Sequence, residues 1–380
     1  MQFFDYNVSD RFGYYLVGDQ KFYSKTDAIK YMDRTGVHLS YHYHDDVFAQ
    51  HDWTQEPTAS LDELYRQRAQ HLRDKYEYLV LSYSGGADSH QMLMTFIKNN
   101  IRIDEILIYH CLSVNPDELF TNSEVTQVAV PIAQEIVSKH PNIKLRIVDM
   151  GPLTYNFFKD DKKVDMMMHA NYSQFSPSAT ALCYIHEVDT EYLDIINSGQ
   201  KIGFVKGWDK PRVWQVDGKW CHRFLDINSG LSIMGSNIPT EMFYWNPDVP
   251  EVVIKQAHII KRYMELARPG SPFIVTESTG FACKPWQDKM LWLTNHGVHS
   301  LLYPDWDITT YSMGKEPSRT MARRDSWFRR LPNDEVYRRW ESSTTTWWRD
   351  LPDYWKNRPG FDSILHGPKN SWSRPYFLER

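Results

Sequence analysis

Six residues, Ser84-Gly85-Gly86-Ala87-Asp88-Ser89, break an apolar run and lead into a helix-like pattern in YLVLSYSGGADSHQML. Two glycines let backbone N–H groups approach a bulky anion. A following helix adds its positive N-terminal end, and the hydroxyls of Ser82, Ser84 and Ser89 add further donors, a set suited to phosphate. Asp88 can bring Mg²⁺ to a pyrophosphate. The loop has neither the G-x-x-x-x-G-K-[ST] nor the G-x-G-x-x-G spacing. Without a lysine beside the terminal phosphate, γ-phosphoryl transfer fits poorly. A second turn, Gly207-Trp208-Asp209-Lys210-Pro211-Arg212, has the composition of a partner site. Asp209 could hold Mg²⁺, while Lys210 and Arg212 could offset charge growing on a departing pyrophosphate.

These residues need a scaffold that brings two distant turns together, and the pattern of the chain supplies one. YEYLVLSY, IDEILIYHC, KLRIVDM and KIGFVKG read as buried strands separated by helical periods. That alternation predicts a mostly parallel, doubly wound α/β sheet covered on both faces. Both turns then leave strands at the carboxyl edge, where open sheets bind ligands. Thr121 with Glu124 has capping-box spacing ahead of Val125, Val128, Ile132 and Ile136, and Pro131 should kink that helix. Ser176-Pro177 opens an interrupted helix toward Gly199.

Around this core, at residues 61–215, two flanks are expected. Residues 1–60 form a small α+β unit, with a hairpin turning at Gly18-Asp19 and a helix over Lys25 to Arg34. In LSYHYHDDVF, strand alternation would put His42, His44 and Asp46 on one face, a weak metal pattern against the plainer reading of solvated side chains. Leu61 to Lys75 reads as a connecting helix. Residues 216–380 begin with a hairpin at Asp217-Gly218 and a helix over Pro250 to Ala267, packed through Val252, Val253, Ile259 and Ile260. Beyond about residue 270 an irregular Trp/Arg-rich region is expected.

Composition narrows the classes. The chain has 380 residues, a net charge of −5 and no apolar run near membrane-spanning length, so neither anionic membranes nor nucleic acid are favoured globally. Its four cysteines are far apart and offer no Cys-x-x-Cys pair, which fits a reducing cytoplasm.

The segment S-x-S-G-G-x-D-S after a buried strand resembles the pyrophosphate loop of the PP-loop ATP pyrophosphatases, a superfamily that includes asparagine, GMP and NAD synthetases and tRNA-modifying ligases. The likeness covers about residues 76 to 215. It implies an adenine nucleotide α-hydrolase-like fold, ATP and Mg²⁺ as cofactors, and adenylation of an acceptor with release of pyrophosphate held by Ser84 to Ser89. It also places Tyr109, His110 and Cys111 near the adenine. The second turn resembles in placement, though not in letters, an acid-containing turn of asparagine synthetases.

Among branches, the N-terminal cysteine of a glutaminase is missing, because the chain begins Met1-Gln2 and the N-terminal unit has no cysteine. Paired cysteines of thiolating relatives and the C-terminal cysteine motif of phosphoadenylylsulfate reductases are missing too. An adenylating enzyme forming an amide or C–N bond is the favoured class, with a small molecule or nucleobase as acceptor. EMFYWNPDVPEVVIKQAHIIK and LLYPDWD also resemble PP-loop proteins of tailed bacteriophages. Alternatives are a non-catalytic nucleotide-binding or virion-associated protein, a reductase-like enzyme, and a nucleic-acid base-modifying enzyme. The last draws on Arg interleaved with Trp in RTMARRDSWFRRLPNDEVYRRWESSTTTWWRD, a pattern that can grip single strands, although mixed acids favour a structural arm.

Overall fold

The computed structural model describes residues 8–116, 124–161, 163–164, 177–207, 212–234, 239–267, 300–306, 326–331, 333–349 and 371–380. Its centre is a five-stranded parallel sheet of β4 (Tyr78–Ser82), β5 (Glu105–His110), β6 (Lys144–Asp149), β7 (Ile202–Lys206) and β10 (Thr240–Met242). The spatial order is β10-β7-β4-β5-β6, with every neighbouring pair parallel. In chain order this is 5-4-1-2-3, the doubly wound arrangement, and the order reverses between β4 and β7. Parallel strands must be buried on both faces, which is why Leu79, Val80 and Leu81 are all apolar and fully buried.

Both faces are covered. Adjacent residues of β7 point to opposite sides: Tyr76 lies against the bare Cα of Gly203, where an added Cβ would come within 2.7 Å of its ring, while the Tyr192 ring meets Phe204 edge-on at 4.8 Å. Helices α2 (Leu61–Lys75), α3 (Ala87–Lys98), α4 (Val130–Lys139), α5 (Met150–Phe157), α6 (Thr190–Asn197) and α7 (Glu251–Ala267) surround the sheet. The segment after Pro177 is interrupted as expected, forming helices at Pro177–Cys183, Ile185–Val188 and α6. Before α4, residues Glu124–Ala129 form a π-helical turn. Pro131 lacks the N–H that would bond one turn back, so the change in winding falls just ahead of it. Thr121 lies outside the described residues.

The N-terminal unit is an antiparallel sheet β2-β1-β3, from β1 (Tyr14–Val17), β2 (Gln20–Phe22) and β3 (Leu39–His42), with helix α1 (Lys25–Thr35). It docks through a buried Lys25–Asp226 ion pair of 2.6 Å and a Tyr15 hydroxyl that donates to Asp226 at 2.8 Å. The expected His42, His44 and Asp46 face does not form. The strand ends at His42, His44 turns left-handed at φ 46, and Asp45–Phe48 is a helical turn. A bonded His42–Asp45 contact and the buried Tyr43 and Phe48 account for the break.

Hairpin β8 (Val213–Val216) and β9 (Lys219–His222) turns at Asp217 and Gly218, both at positive φ, the two-residue turn that matches strand twist. It forms a separate sheet with β11 (Tyr376–Phe377). Within the region expected to be irregular, Glu335–Arg349 instead forms helix α8, whose Val336, Tyr337 and Trp340 supply a buried stripe at helical spacing, while residues 268–299, 307–325 and 350–370 lie outside the described residues. Among the described residues no helix is long and apolar enough to cross a membrane.

Candidate functional site

Ser84 to Ser89 leave β4 at the carboxyl edge, beside the reversal point. Gly85 sits at φ +74, and a Cβ there would lie 3.0 Å from Val128 Cγ1 and 3.3 Å from the Ala129 backbone, so both conformation and space demand glycine. Gly86 is the N-cap of α3 and provides no side-chain cap. The helix therefore presents its first turn of N–H groups without the usual oxygen in front of them. The loop is braced by nested contacts. The Ser84 and Ser89 hydroxyls lie 3.1 Å apart, the Ser84 N–H donates to Ser89 Oγ at 3.2 Å, and Ser89 Oγ donates to the Gly86 carbonyl at 3.1 Å. Outside this pair, the Tyr83 hydroxyl is 3.0 Å from His90 Nδ1. Burial, with the Lys98 charge adding, pushes His90 down to about 4, so the brace is neutral at pH 7.

Later segments hold this helix start from behind. An added Cβ at Gly207, immediately after β7, would come within 3.1 Å of the Asp88 carbonyl group and of Ser89 N. The Tyr244 hydroxyl donates to the Asp88 carbonyl at 2.7 Å, and its ring meets Tyr303 at 5.4 Å. Gln91 donates to Asp305 at 3.0 Å and accepts its N–H at 3.0 Å. EMFYWNPD and LLYPDWD thus converge on α3. Their role is not legible from periodicity; the density of aromatic residues was the signal available.

The second turn is brought to the first at its Gly207 end. Asp209 and Lys210 lie outside the described residues. Arg212 is exposed, and its carbonyl accepts the His222 Nδ1 proton at 3.0 Å. That histidine is buried with its ring stacked on Trp53 at 5.3 Å, and burial pushes it down to about 3.

On the other side of β4, Tyr109 and His110 end β5. His110 pairs in register with Asp149, the last residue of β6. The Leu112 N–H donates to His110 Nδ1 at 3.0 Å. Asp149 accepts from Ser113 N at 3.1 Å and caps α5 through Gly151 N at 2.9 Å. Cys111 is buried. Lys206, at the end of β7, was not singled out by sequence because it reads as part of an apolar strand; it is 2% exposed.

Lys255, Gln256 and His258 do not face this edge. They bond to Pro57 O, the Tyr65 hydroxyl and Trp53 O, so α7 is a packing helix. Among the described residues no three His, Cys, Asp or Glu side chains gather as a metal cluster. Comparison with protein-family models, curated proteins and solved structures returns no match for this chain.

Proposed function

We propose that the protein is a PP-loop ATP pyrophosphatase with an adenine nucleotide α-hydrolase-like core, which adenylates an acceptor, releases pyrophosphate and so prepares an amide or C–N bond. The observation that carries this reading is the glycine-shaped, uncapped Ser84–Ser89 loop at the carboxyl edge where the strand order reverses.

The loop fits a polyphosphate by the shape of its donor set. Gly85 and Gly86 leave the backbone open, and the Ser84 and Ser89 hydroxyls are on hand. The donor set suits Mg²⁺ as well, because this ion takes one or two carboxylates and completes its shell with phosphate and water. Asp88 and Asp209 would hold it, and it would supply charge neutralisation across the phosphates. Tyr109 and His110, which end β5 at the same carboxyl edge, would border the base on this reading, and Lys210 and Arg212 would be the cations for the departing pyrophosphate.

Incubation with ATP labelled at the α-phosphate, Mg²⁺ and separate pools of amino acids, nucleobases and single-stranded nucleic acid tests the proposal. AMP and pyrophosphate in equal amounts with one pool support it; ADP, or no product with any pool, refutes it. A competing reading, nucleotide binding or a virion-associated role without turnover, draws on the Ser84–Ser89 bonds that already satisfy the loop from within. It requires ATP binding with no AMP formed.

A further inference from the structure

The Arg- and Trp-rich segment near the C-terminus turns its described aromatic residues inward. Trp327 and Phe328, in the short helix Ser326–Arg329, and Trp340 of α8 are buried, too deep to stack on a base of a nucleic acid. Phe328 meets Phe158 at 5.7 Å, and the Tyr155 hydroxyl donates to Asp334 Oδ2 at 2.8 Å. Arg339 pairs with Asp161 at 2.9 Å and donates to the Lys159 carbonyl at 2.7 Å. The arm of residues 326–331 and 333–349 is therefore seated along α5 and the residues just after it. That helix starts from its N-cap Asp149, the last residue of β6, at the carboxyl edge of the sheet.

From this seat the arm reaches the edge itself. Arg330 Nη2 donates to Asn115 Oδ1 at 2.8 Å. Asn115 is buried and closes the turn that follows β5, its N–H donating to the Cys111 carbonyl at 2.9 Å. Asp149 holds the same turn by accepting from Ser113 N at 3.1 Å, and the Leu112 N–H donates to His110 Nδ1 at 3.0 Å. Val114 packs on Gly151, where an added Cβ would come within 2.6 Å of its side chain. The end of β6, the start of α5 and the arm thus set the shape of residues 111–115 together.

We propose that Arg330 is a positioning residue for the base side of the nucleotide site: through Asn115 it holds the Cys111–Asn115 turn in the form that receives the adenine. This rests on the ATP reading above, in which Tyr109, His110 and Cys111 border the base, and it gives the C-terminal arm a part in that site. The physical basis is preorganisation. A turn that must be ordered when the base arrives lowers affinity by the cost of ordering it. A charge-assisted hydrogen bond onto a buried amide oxygen removes part of that cost in advance, and the exposure of Arg330 to solvent keeps the effect modest. The pyrophosphate loop is braced separately, by Val128, Ala129, Gly207 and Tyr244, none of which lies in the arm or in the turn. Loss of Arg330 should therefore separate base binding from pyrophosphate binding.

Titration calorimetry of the full chain with adenosine, AMP and pyrophosphate tests this without reference to turnover. For Arg330→Met, which keeps the apolar stem and loses the donors, adenosine and AMP should both weaken by about fivefold, with pyrophosphate changed by less than about twofold. Arg330→Lys restores a cationic donor and should bind adenosine within about twofold of wild type. Because Arg330 is exposed, neither variant threatens the fold. Wild-type adenosine affinity in Arg330→Met, an equal loss for pyrophosphate, or no rescue by lysine overturns the positioning role and leaves the ATP reading standing. A wild-type protein that binds pyrophosphate but not adenosine has no base site to position and also overturns it. One that binds none of the three compounds ends the ATP reading as well.

Discussion

Replacing His90 with asparagine should flatten the dependence of stability on pH. His90 is 5% exposed, and its Nδ1 lies 3.0 Å from the Tyr83 hydroxyl across the loop. Burial, then the Lys98 charge, lowers it from 6.5 to about 4. The sign follows directly: the folded protein refuses a proton that the unfolded chain accepts, so stability is complete above about pH 6.5 and falls as the pH drops. The slope is about 1.4 kcal/mol per pH unit until about pH 4, where both states are protonated. Across that window the loss is about 3 kcal/mol, a large share of the roughly 5–15 kcal/mol of an ordinary domain.

His222, pushed down to about 3 by burial, tilts the curve the same way. Burial raises Glu241, but Arg68, Arg11 and Lys75 outweigh it and hold that carboxyl at about 2, so its contribution is lost only below about pH 4.5. The difference between wild type and variant cancels both terms and isolates His90. Asparagine can still meet the Tyr83 hydroxyl and does not titrate. Urea unfolding at pH 7, 6, 5 and 4 reads the slopes, and parallel curves for the two proteins would refute a neutral, buried brace.

Three further outcomes are expected. Asp88→Asn should reduce AMP formation by about 10²-fold while the urea midpoint moves little, since on the proposed reading it removes a Mg²⁺ ligand and keeps the shape; equal turnover would remove Asp88 from the proposed metal site. Gly207→Ala places a methyl 3.1 Å from the Asp88 carbonyl group and should weaken pyrophosphate binding by about 10-fold through a shifted helix start, which calorimetry would detect and which unchanged affinity would disprove. Glu241→Gln should cost about 3–5 kcal/mol in urea unfolding, because the carboxylate lies 3.1 Å from fully buried Arg68 and 2.6 Å from Arg11; a loss below about 1 kcal/mol would show the cluster to be well solvated.

The loop was legible because its information is local: glycine and serine types at fixed spacing, directly after an apolar strand. Strands β4, β5 and β7 were legible for a related reason, since burial on both faces leaves nearly continuous apolar runs, whereas the edge strand β6, half-buried with Ile147 exposed, was legible from its place in the strand–helix alternation. Strand β10 was not. Thr240–Met242 is three residues long, and its identity as a strand comes from pairing with Phe204–Lys206 some thirty-five residues earlier. Helix α8 was hidden by the Thr344-Thr345-Thr346 run and by arginines on its outer face, which blur the apolar stripe. The His42, His44 and Asp46 pattern misled because alternation carries no mark of where a strand stops.

The least legible part of the site explains how the loop keeps its shape. A Gly-Gly turn on its own has many conformations, and ordering it costs entropy that a glycine pays most heavily. Here that cost is met by contacts from far along the chain. Val128 and Ala129 fill the space a Cβ would take at Gly85, Gly207 packs on the Asp88 peptide, and Tyr244 holds the Asp88 carbonyl. Those contacts fix the backbone of Gly85 to Ser89 from within the protein, so the loop does not depend on a ligand for its form. Preorganisation of this kind spends folding energy to reduce the ordering cost of binding an anion. It also packs the residue that follows β7 directly on the start of α3. A displacement at Gly207 should therefore be felt at the start of α3, where the proposed pyrophosphate would sit.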